Sequence, residues 1–302
     1  MYALNATRFS RVNKRLSIQP AKWKNSAIGL VVADKSDTGM MLSSKRALAS
    51  SVLFYFYLAL ALPSPLSAAQ CPPVRIDDTE QVQHVYDGDT VKLRDGRRVR
   101  LIGINAPEIG RDGQPSQPYA QRARRELISL LEQSDFRIGL QFETERFDKY
   151  QRTLAHLYGK DNRSISEALL KQGMVVAFAT PPNAAFSDCY RQHEEQAQNR
   201  KLGIWSHREY RTINSRELSS KTLGFRIIEG EVTDVRTSRK RITLKLPDAL
   251  DINIYRSDLD NFRTFDPATL KGKQIRVRGW VHKNKGRYRL KLRHPSALEL
   301  LP

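Results

Sequence analysis

The chain has 302 residues, 51 Lys+Arg against 32 Asp+Glu, and a formal charge of +19. With 40% hydrophobic and 27% charged residues its composition is globular, which excludes a largely disordered or collagen-like chain; two cysteines are too few for a disulfide scaffold or a four-cysteine zinc site. So large a positive excess calls for a polyanionic partner or an anionic surface, and the question is where it sits.

The one long apolar run, Ala47 to Leu62, has 16 residues, short of the roughly 20 that span a bilayer. Lys45 and Arg46 precede it; Pro63, Pro65 and Ser67-Ala68-Ala69 follow. A basic start, a short apolar stretch and small residues before the cut describe a secretory signal ending at Ala69. An uncleaved membrane anchor is the competing reading. A lipoprotein linked at Cys71 fits less well, because Gln70 stands where a small residue is expected. The signal starts only after Met40 and Met41, so residues 1–39 read as a non-native extension and 40–69 as the signal peptide. Residues 1–69 hold 9 Lys+Arg and 2 Asp+Glu. After export to a periplasmic or external space, Cys71 and Cys189 would meet oxidising conditions. A disulfide between them needs a closeness that the sequence does not show.

Residues 70–206 are set off as a first domain, in which 80–205 mix strands and helices. Val82–Val85, Thr90–Leu93 and Arg98–Ile104 read as successive strands, with Asp87-Gly88-Asp89 and Asp95-Gly96 as turns. Ala123, Leu127, Ile128 and Leu131 have helical spacing within residues 118–132. Phe136–Glu143 and Arg152–Tyr158 alternate again as strands. Ile165–Gln172 is a helix that Gly173 can end, and Asp188–Lys201 is a polar one. This order is α+β, with a small barrel as its core.

Polar residues gather where these strands meet turns: Asp87, Asp89 and Thr90; Arg100; Asn105, Ala106 and Glu108; Lys149, Tyr150 and Arg152. Taken singly, each has an ordinary structural explanation as a turn, an exposed strand face or a loop. Together they lie in five ordered blocks: VQHVYDGDTVKL at 82–93, RVRLIGINAPE at 98–108, ERFDKYQRTLAHLY at 145–158, EALLKQG at 167–173 and AQNRKLGIW at 197–205. In that order they resemble the staphylococcal (micrococcal) nuclease family over residues 80–206. The resemblance implies a five-stranded OB-type barrel with three helices and calcium-dependent cleavage of DNA and RNA, leaving 3′-phosphate and 5′-hydroxyl ends.

By that resemblance, Asp89 matches the direct calcium carboxylate, with Asp87 and Thr90 supporting. Ala106 matches a backbone-carbonyl ligand. Asn105 stands where the family has a second carboxylate; it keeps an oxygen donor but loses a charge, so weaker calcium binding is expected. Glu108 matches the carboxylate that orients and deprotonates water. Arg100 and Arg152 match the guanidinium pair on the scissile phosphate, a task suited to a planar bidentate fork. Lys149 and Tyr150 match contacts to a neighbouring phosphate. His84 and His156 show no zinc spacing and read as structural.

Residues 207–222 are polar, lack an apolar period and read as a linker. Residues 223–302 hold 18 Lys+Arg and 9 Asp+Glu, leaving 24 and 21 for residues 70–222. Strands are expected at 225–235, 240–246 and 251–255, then a helical or irregular spacer, then a hairpin of 273–282 and 287–293 around Asn284-Lys285-Gly286. That is the strand order of a second small, OB-like β-barrel. Between Lys271 and Arg293 there are 10 Lys+Arg and no acid. Arg287, Arg289, Lys291 and Arg293 fall on one strand face, opposite Tyr288, Leu290 and Leu292. With Trp280, and Tyr255 as a second aromatic, they form a candidate accessory surface for single-stranded nucleic acid. Removing 223–302 is expected to weaken binding but spare cleavage of small substrates. A monomer with no obligate protein partner is expected. The competing functions are a nucleic-acid binder without catalysis and an envelope-associated structural protein.

Overall fold

In the computed structural model, which describes residues 71–302, strand pairing first closes a barrel. Strand β1 (Asp78–Val85) runs antiparallel to β2 (Thr90–Leu93), and β2 to β3 (Arg98–Leu101). Strand β3 then pairs in parallel with β6 (Thr153–Tyr158), β6 with β5 (Arg137–Gln141), and β5 with β1. The closed order is β1-β2-β3-β6-β5. Val91, Leu93, Val99, Leu101, Ile138, Leu140 and Leu157 fill its interior, as the strand alternation requires.

The run Arg98–Ile104, expected as one strand, breaks at Ile102-Gly103. Gly103 has φ +80°, and a Cβ there would lie 2.6 Å from the Tyr190 ring, so only glycine fits. The break sends β4 (Ile104–Asn105) away from the barrel to pair with β7 (Val176–Ala177). That detour sets Asn105, Ala106 and Glu108 beside the Asp87–Asp89 turn.

Three helices cover the barrel. Helix α1 (Ala120–Glu132) buries Ala120, Ala123, Leu127 and Leu131, an i, i+3, i+4 stripe. Gly88 packs under it: a Cβ there would meet Ala123 at 2.7 Å and Ala106 at 2.8 Å. Helix α2 (Ile165–Lys171) is capped by Ser164, whose hydroxyl accepts from Glu167 N. Helix α3 (Ser187–Asn199) buries Tyr190, His193, Glu194 and Ala197. A Cys71–Cys189 disulfide, with Cα atoms 6.0 Å apart, ties the segment before β1 to α3. His156 is buried; its ring nitrogens reach Tyr190 Oη at 3.0 Å and Glu143 Oε1 at 2.6 Å, which accounts for it structurally.

The remaining chain forms an eight-stranded sheet. It runs β10 (Asp234–Thr237), β11 (Arg241–Leu246), β12 (Leu250–Tyr255), β14 (Arg287–Lys291), β13 (Gln274–Asn284), β9 (Gly224–Glu231) and β8 (Thr212–Asn214), with β15 (Leu298–Leu300) beside β13. The expected strand 225–235 splits at Val232-Thr233 because its halves take different partners, β13 and β11. The β13–β14 turn places Lys285 and Gly286 at φ 48° and 75°, the paired positive φ of a tight hairpin. The core holds Ile228, Leu244, Ile252, Ile275, Val277 and Leu290.

Residues 207–222, expected as a linker, are built into this sheet. Strand β8 pairs in parallel with β9, burying Ile213, and Leu218 is buried behind it. The barrel and the sheet fall in one compact unit. Arg278 of β13 is buried against Glu194 of α3 and donates to Ala177 O at 3.4 Å. Trp280 meets Phe178 at 4.7 Å and Phe225 at 5.3 Å between ring centroids, both edge to face. The expected signal peptide and N-terminal extension lie outside the described residues.

Candidate active site

The turn after β1 presents Asp87, Asp89 and Thr90, all buried. Asp89 N donates to Asp87 Oδ1 at 3.0 Å, fixing the turn. Asp89 Oδ1 accepts from Thr90 Oγ1 at 3.0 Å, and its Oδ2 from Ala106 N at 2.6 Å. Arg100, on β3, reaches the same Oδ2 at 3.1 Å and Asn105 Oδ1 at 3.3 Å. A second Arg100 nitrogen donates to Leu101 O. Asn105 Nδ2 lies 3.4 Å from Ala106 O. Burial pushes the Asp89 carboxyl up to about 7; the Arg100 guanidinium pulls it down, and Asp87 adds to the rise.

Glu108 follows on an exposed loop. Its N donates to Gln117 Oε1 and Gln117 N donates back to Glu108 O, each at 2.9 Å, which cinches the loop ahead of α1. Across the cleft, Arg152 is held by Asp148, whose Oδ2 accepts from its guanidinium at 2.7 Å. Burial alone would raise the Asp148 carboxyl, but hydrogen bonds from Arg152 and Tyr150 hold it below the usual carboxylate range. Tyr150 is 66% exposed at the rim, with Lys149 Nζ 4.8 Å from its ring centre. A cleft of about 710 Å³ is lined by Asp87, Asp89, Thr90, Glu108, Tyr150 and Arg152, among others.

The Asp87 and Asp89 carboxylates at this cleft, with the Asn105 amide oxygen and the Ala106 carbonyl behind them, are hard oxygen donors, suited to calcium or magnesium rather than zinc. Two guanidinium groups beside them suit a phosphate. A model of the staphylococcal nuclease homologue family matches residues 98–207. The thermonuclease of Staphylococcus intermedius is 36% identical over 127 residues, 41% of this chain and 74% of that protein.

The chain belongs to the staphylococcal nuclease family.

The thermonuclease of Staphylococcus hyicus is 32% identical over 134 residues, 43% of this chain and 77% of its own length. Endonuclease YncB of Bacillus subtilis (strain 168) is 36% identical over 136 residues, 43% of this chain and 63% of its own. None of these matches spans even half of this chain.

The structure brings Asp87, Asp89, Thr90, Arg100, Asn105, Ala106, Glu108, Tyr150 and Arg152 to one place, with Lys149 on the adjoining face. Asp148, which aims Arg152, was missed; the carboxylate four residues ahead of the arginine, within a turn, was its only signal. The basic face of β14 is a different matter. Its alternation holds, with Tyr288, Leu290 and Leu292 buried. Three of its four cations, however, already have carboxylates. Arg287 makes a fork on Asp251 at 2.7 and 2.8 Å, while Arg293 and Lys291 meet Asp258 at 3.1 and 3.5 Å. Only Arg289 of the four has no acid within ion-pair distance among the described residues. Trp280 sits in the aromatic cluster beside the barrel, where of that face Arg293 alone lines the same hollow.

Proposed function

We propose that this protein is a calcium-dependent phosphodiesterase that cleaves DNA or RNA, preferring single strands, and leaves 3′-phosphate and 5′-hydroxyl ends. The observation that carries the reading is the convergence of Arg152, the exposed carboxylate of Glu108 and the Asp89 turn on one cleft, with Arg100 in contact with Asp89. Arg100 and Arg152 grip the non-bridging oxygens of the scissile phosphate and offset the charge that builds there. Glu108 accepts a proton from a water in line with the phosphorus. That water adds to phosphorus as the bond to the 5′-oxygen breaks, and the 5′-oxygen takes a proton from solvent in the open cleft.

Asp89, Asn105 and the Ala106 carbonyl would hold calcium, with Asp87 and Thr90 fixing the Asp89 turn. Bound there, the ion supplies Lewis-acid stabilisation of phosphate charge. Asn105 contributes no charge, so the site works at a higher calcium concentration than one with a carboxylate at that position.

Export through the segment 40–69 fits the Cys71–Cys189 disulfide, which persists in oxidising compartments. The C-terminal sheet has the pairing order of the first barrel, with β9 and β10 as halves of its first strand, so it is read as a second OB-like module that assists substrate binding. The protein acts as a monomer. The test is cleavage of a single-stranded oligonucleotide by the mature chain from residue 70, with and without millimolar calcium, and mass analysis of the ends. Calcium-dependent products with 3′-phosphates are expected. Binding without cleavage would favour a catalytically silent nucleic-acid binder instead.

A further inference from the structure

Past Arg152 the cleft continues into a second hollow of about 400 Å³, between the barrel and the C-terminal sheet. Its apolar lining includes Leu101 and Leu154, and Phe178 and Trp280 face it from the two sides of the boundary. Arg152 lines both hollows; Arg100, Glu145 and Asp148 line the second, and Arg293 joins from the C-terminal sheet. Trp280 is 45% exposed although its ring packs edge to face against Phe178 and Phe225. Arg293 gives only its Nε to Asp258 at 3.1 Å, leaving both terminal nitrogens for another acceptor.

We propose that this hollow is a composite nucleotide subsite in which the C-terminal module supplies Trp280 to stack the base next to the scissile phosphate and Arg293 to take the following phosphate. The proposal rests on the nuclease reading of the neighbouring cleft. A base is apolar on its faces and anionic along its backbone, and the hollow offers that combination. Its volume suits one nucleotide and not a paired base, so a base must leave the stack to enter. This gives the single-strand preference a structural origin. The wall is held in register two residues away, where Arg278 is buried against Glu194 and bonded to Ala177 O. The C-terminal module is then part of the active site. Its removal would strip one wall of the subsite and uncover Glu194, so small substrates would not be spared.

The experiment uses the mature protein and oligothymidylates of two or three nucleotides. Tryptophan emission is followed without calcium, and steady-state cleavage with it, for wild type, Trp280→Ala, Trp280→Phe, Arg293→Ala and Arg289→Ala. Wild-type emission should be quenched on binding. Trp280→Ala should raise KM roughly tenfold, in line with one base–aromatic stack. Its kcat should stay within about twofold, and Trp280→Phe should restore most of the loss. Arg293→Ala should raise KM, and Arg289→Ala should change nothing on these short substrates. An unchanged KM in a Trp280→Ala protein of unaltered melting temperature overturns the subsite while the nuclease reading stands. If Trp280→Ala does not fold, an unquenched wild-type emission at saturating oligonucleotide overturns it. Quenching without any cleavage sinks the nuclease reading and keeps the hollow as a nucleotide site.

Discussion

The two β modules use charge in opposite ways. In residues 70–222 the balance is nearly even, at 24 Lys+Arg and 21 Asp+Glu, yet Arg152 lines the cleft and Arg100 contacts Asp89 beside it. Residues 223–302 carry 18 against 9, yet the most regular row of cations is largely paired, with Arg287 forked onto Asp251 and Lys291 on Asp258, while Arg293 gives Asp258 its Nε alone. Net charge therefore marks the wrong module. In the barrel, too, carboxylates orient the arginines, but beside the cleft: Asp148 holds Arg152, which lines it, and Asp89 holds Arg100 next to the oxygen cluster.

The largest expected effect separates the modules at once. Glu108→Ala should lower calcium-dependent cleavage by about 10²- to 10⁴-fold, the usual contribution of a placed general base. Its melting temperature should hold, since the side chain is exposed. A loss below tenfold would assign the proton to another group.

Next comes the boundary. Arg278→Ala removes one of the two guanidinium groups on buried Glu194, which keeps Arg191, and should cost about 1.5–3 kcal/mol in denaturant unfolding, the scale of a hydrogen bond to a charged group. Arg289→Ala, at a solvated strand position, should change stability by less than about 0.5 kcal/mol. Equal costs would mean that the two modules are not coupled through Arg278.

Asn105→Asp restores a charge to the oxygen cluster and should lower the calcium needed for half-maximal cleavage by roughly tenfold, the scale of one added ligand charge. An unchanged calcium curve would place the ion elsewhere.

The pH dependence has a definite sign. Asp89 keeps its proton up to about 7 in the fold. Below that value calcium must displace the proton, so affinity should fall by about tenfold per pH unit toward pH 5 and level off above 8, as titration calorimetry can follow. Without calcium, the folded state binds the extra proton between the ordinary aspartate value and about 7, so this group's contribution to stability declines as pH rises through that window. A flat calcium affinity across this range would remove Asp89 from the ligand set.

The smallest effect concerns the basic face. If Arg287 is neutralised by Asp251, Arg287→Ala should barely change the salt dependence of binding to long DNA. Loss of a phosphate contact would reduce the slope by about one. A full unit lost at Arg287 would show that the fork opens to bind substrate.

Much of the barrel was legible because alternating apolar residues and Asp-Gly turns are local signals, and the ordered motifs picked out polar residues that the fold gathers around the Asp89 turn. The break at Gly103 was hidden because RVRLIGI alternates like a single strand; its cause is the Tyr190 ring, far along the chain. Strand β8 was hidden because three residues, TIN, carry no period, and its pairing with β9 is a tertiary event. The same reason explains the basic face. Asp251 lies 36 positions from Arg287, and nothing local indicates that the sheet sets them side by side. Trp280 was singled out as a stacking aromatic for the basic face; its place beside Phe178 depends on how the two sheets meet.

The most direct test of this contrast compares wild type, Arg152→Ala and Arg289→Ala on a single-stranded oligonucleotide at saturating calcium. Arg152→Ala should lose at least about 10²-fold in rate, as for removal of one transition-state charge stabiliser, while Arg289→Ala stays within about threefold of wild type. Equal losses, or a larger one at Arg289, would contradict the assignment of the chemistry to the barrel.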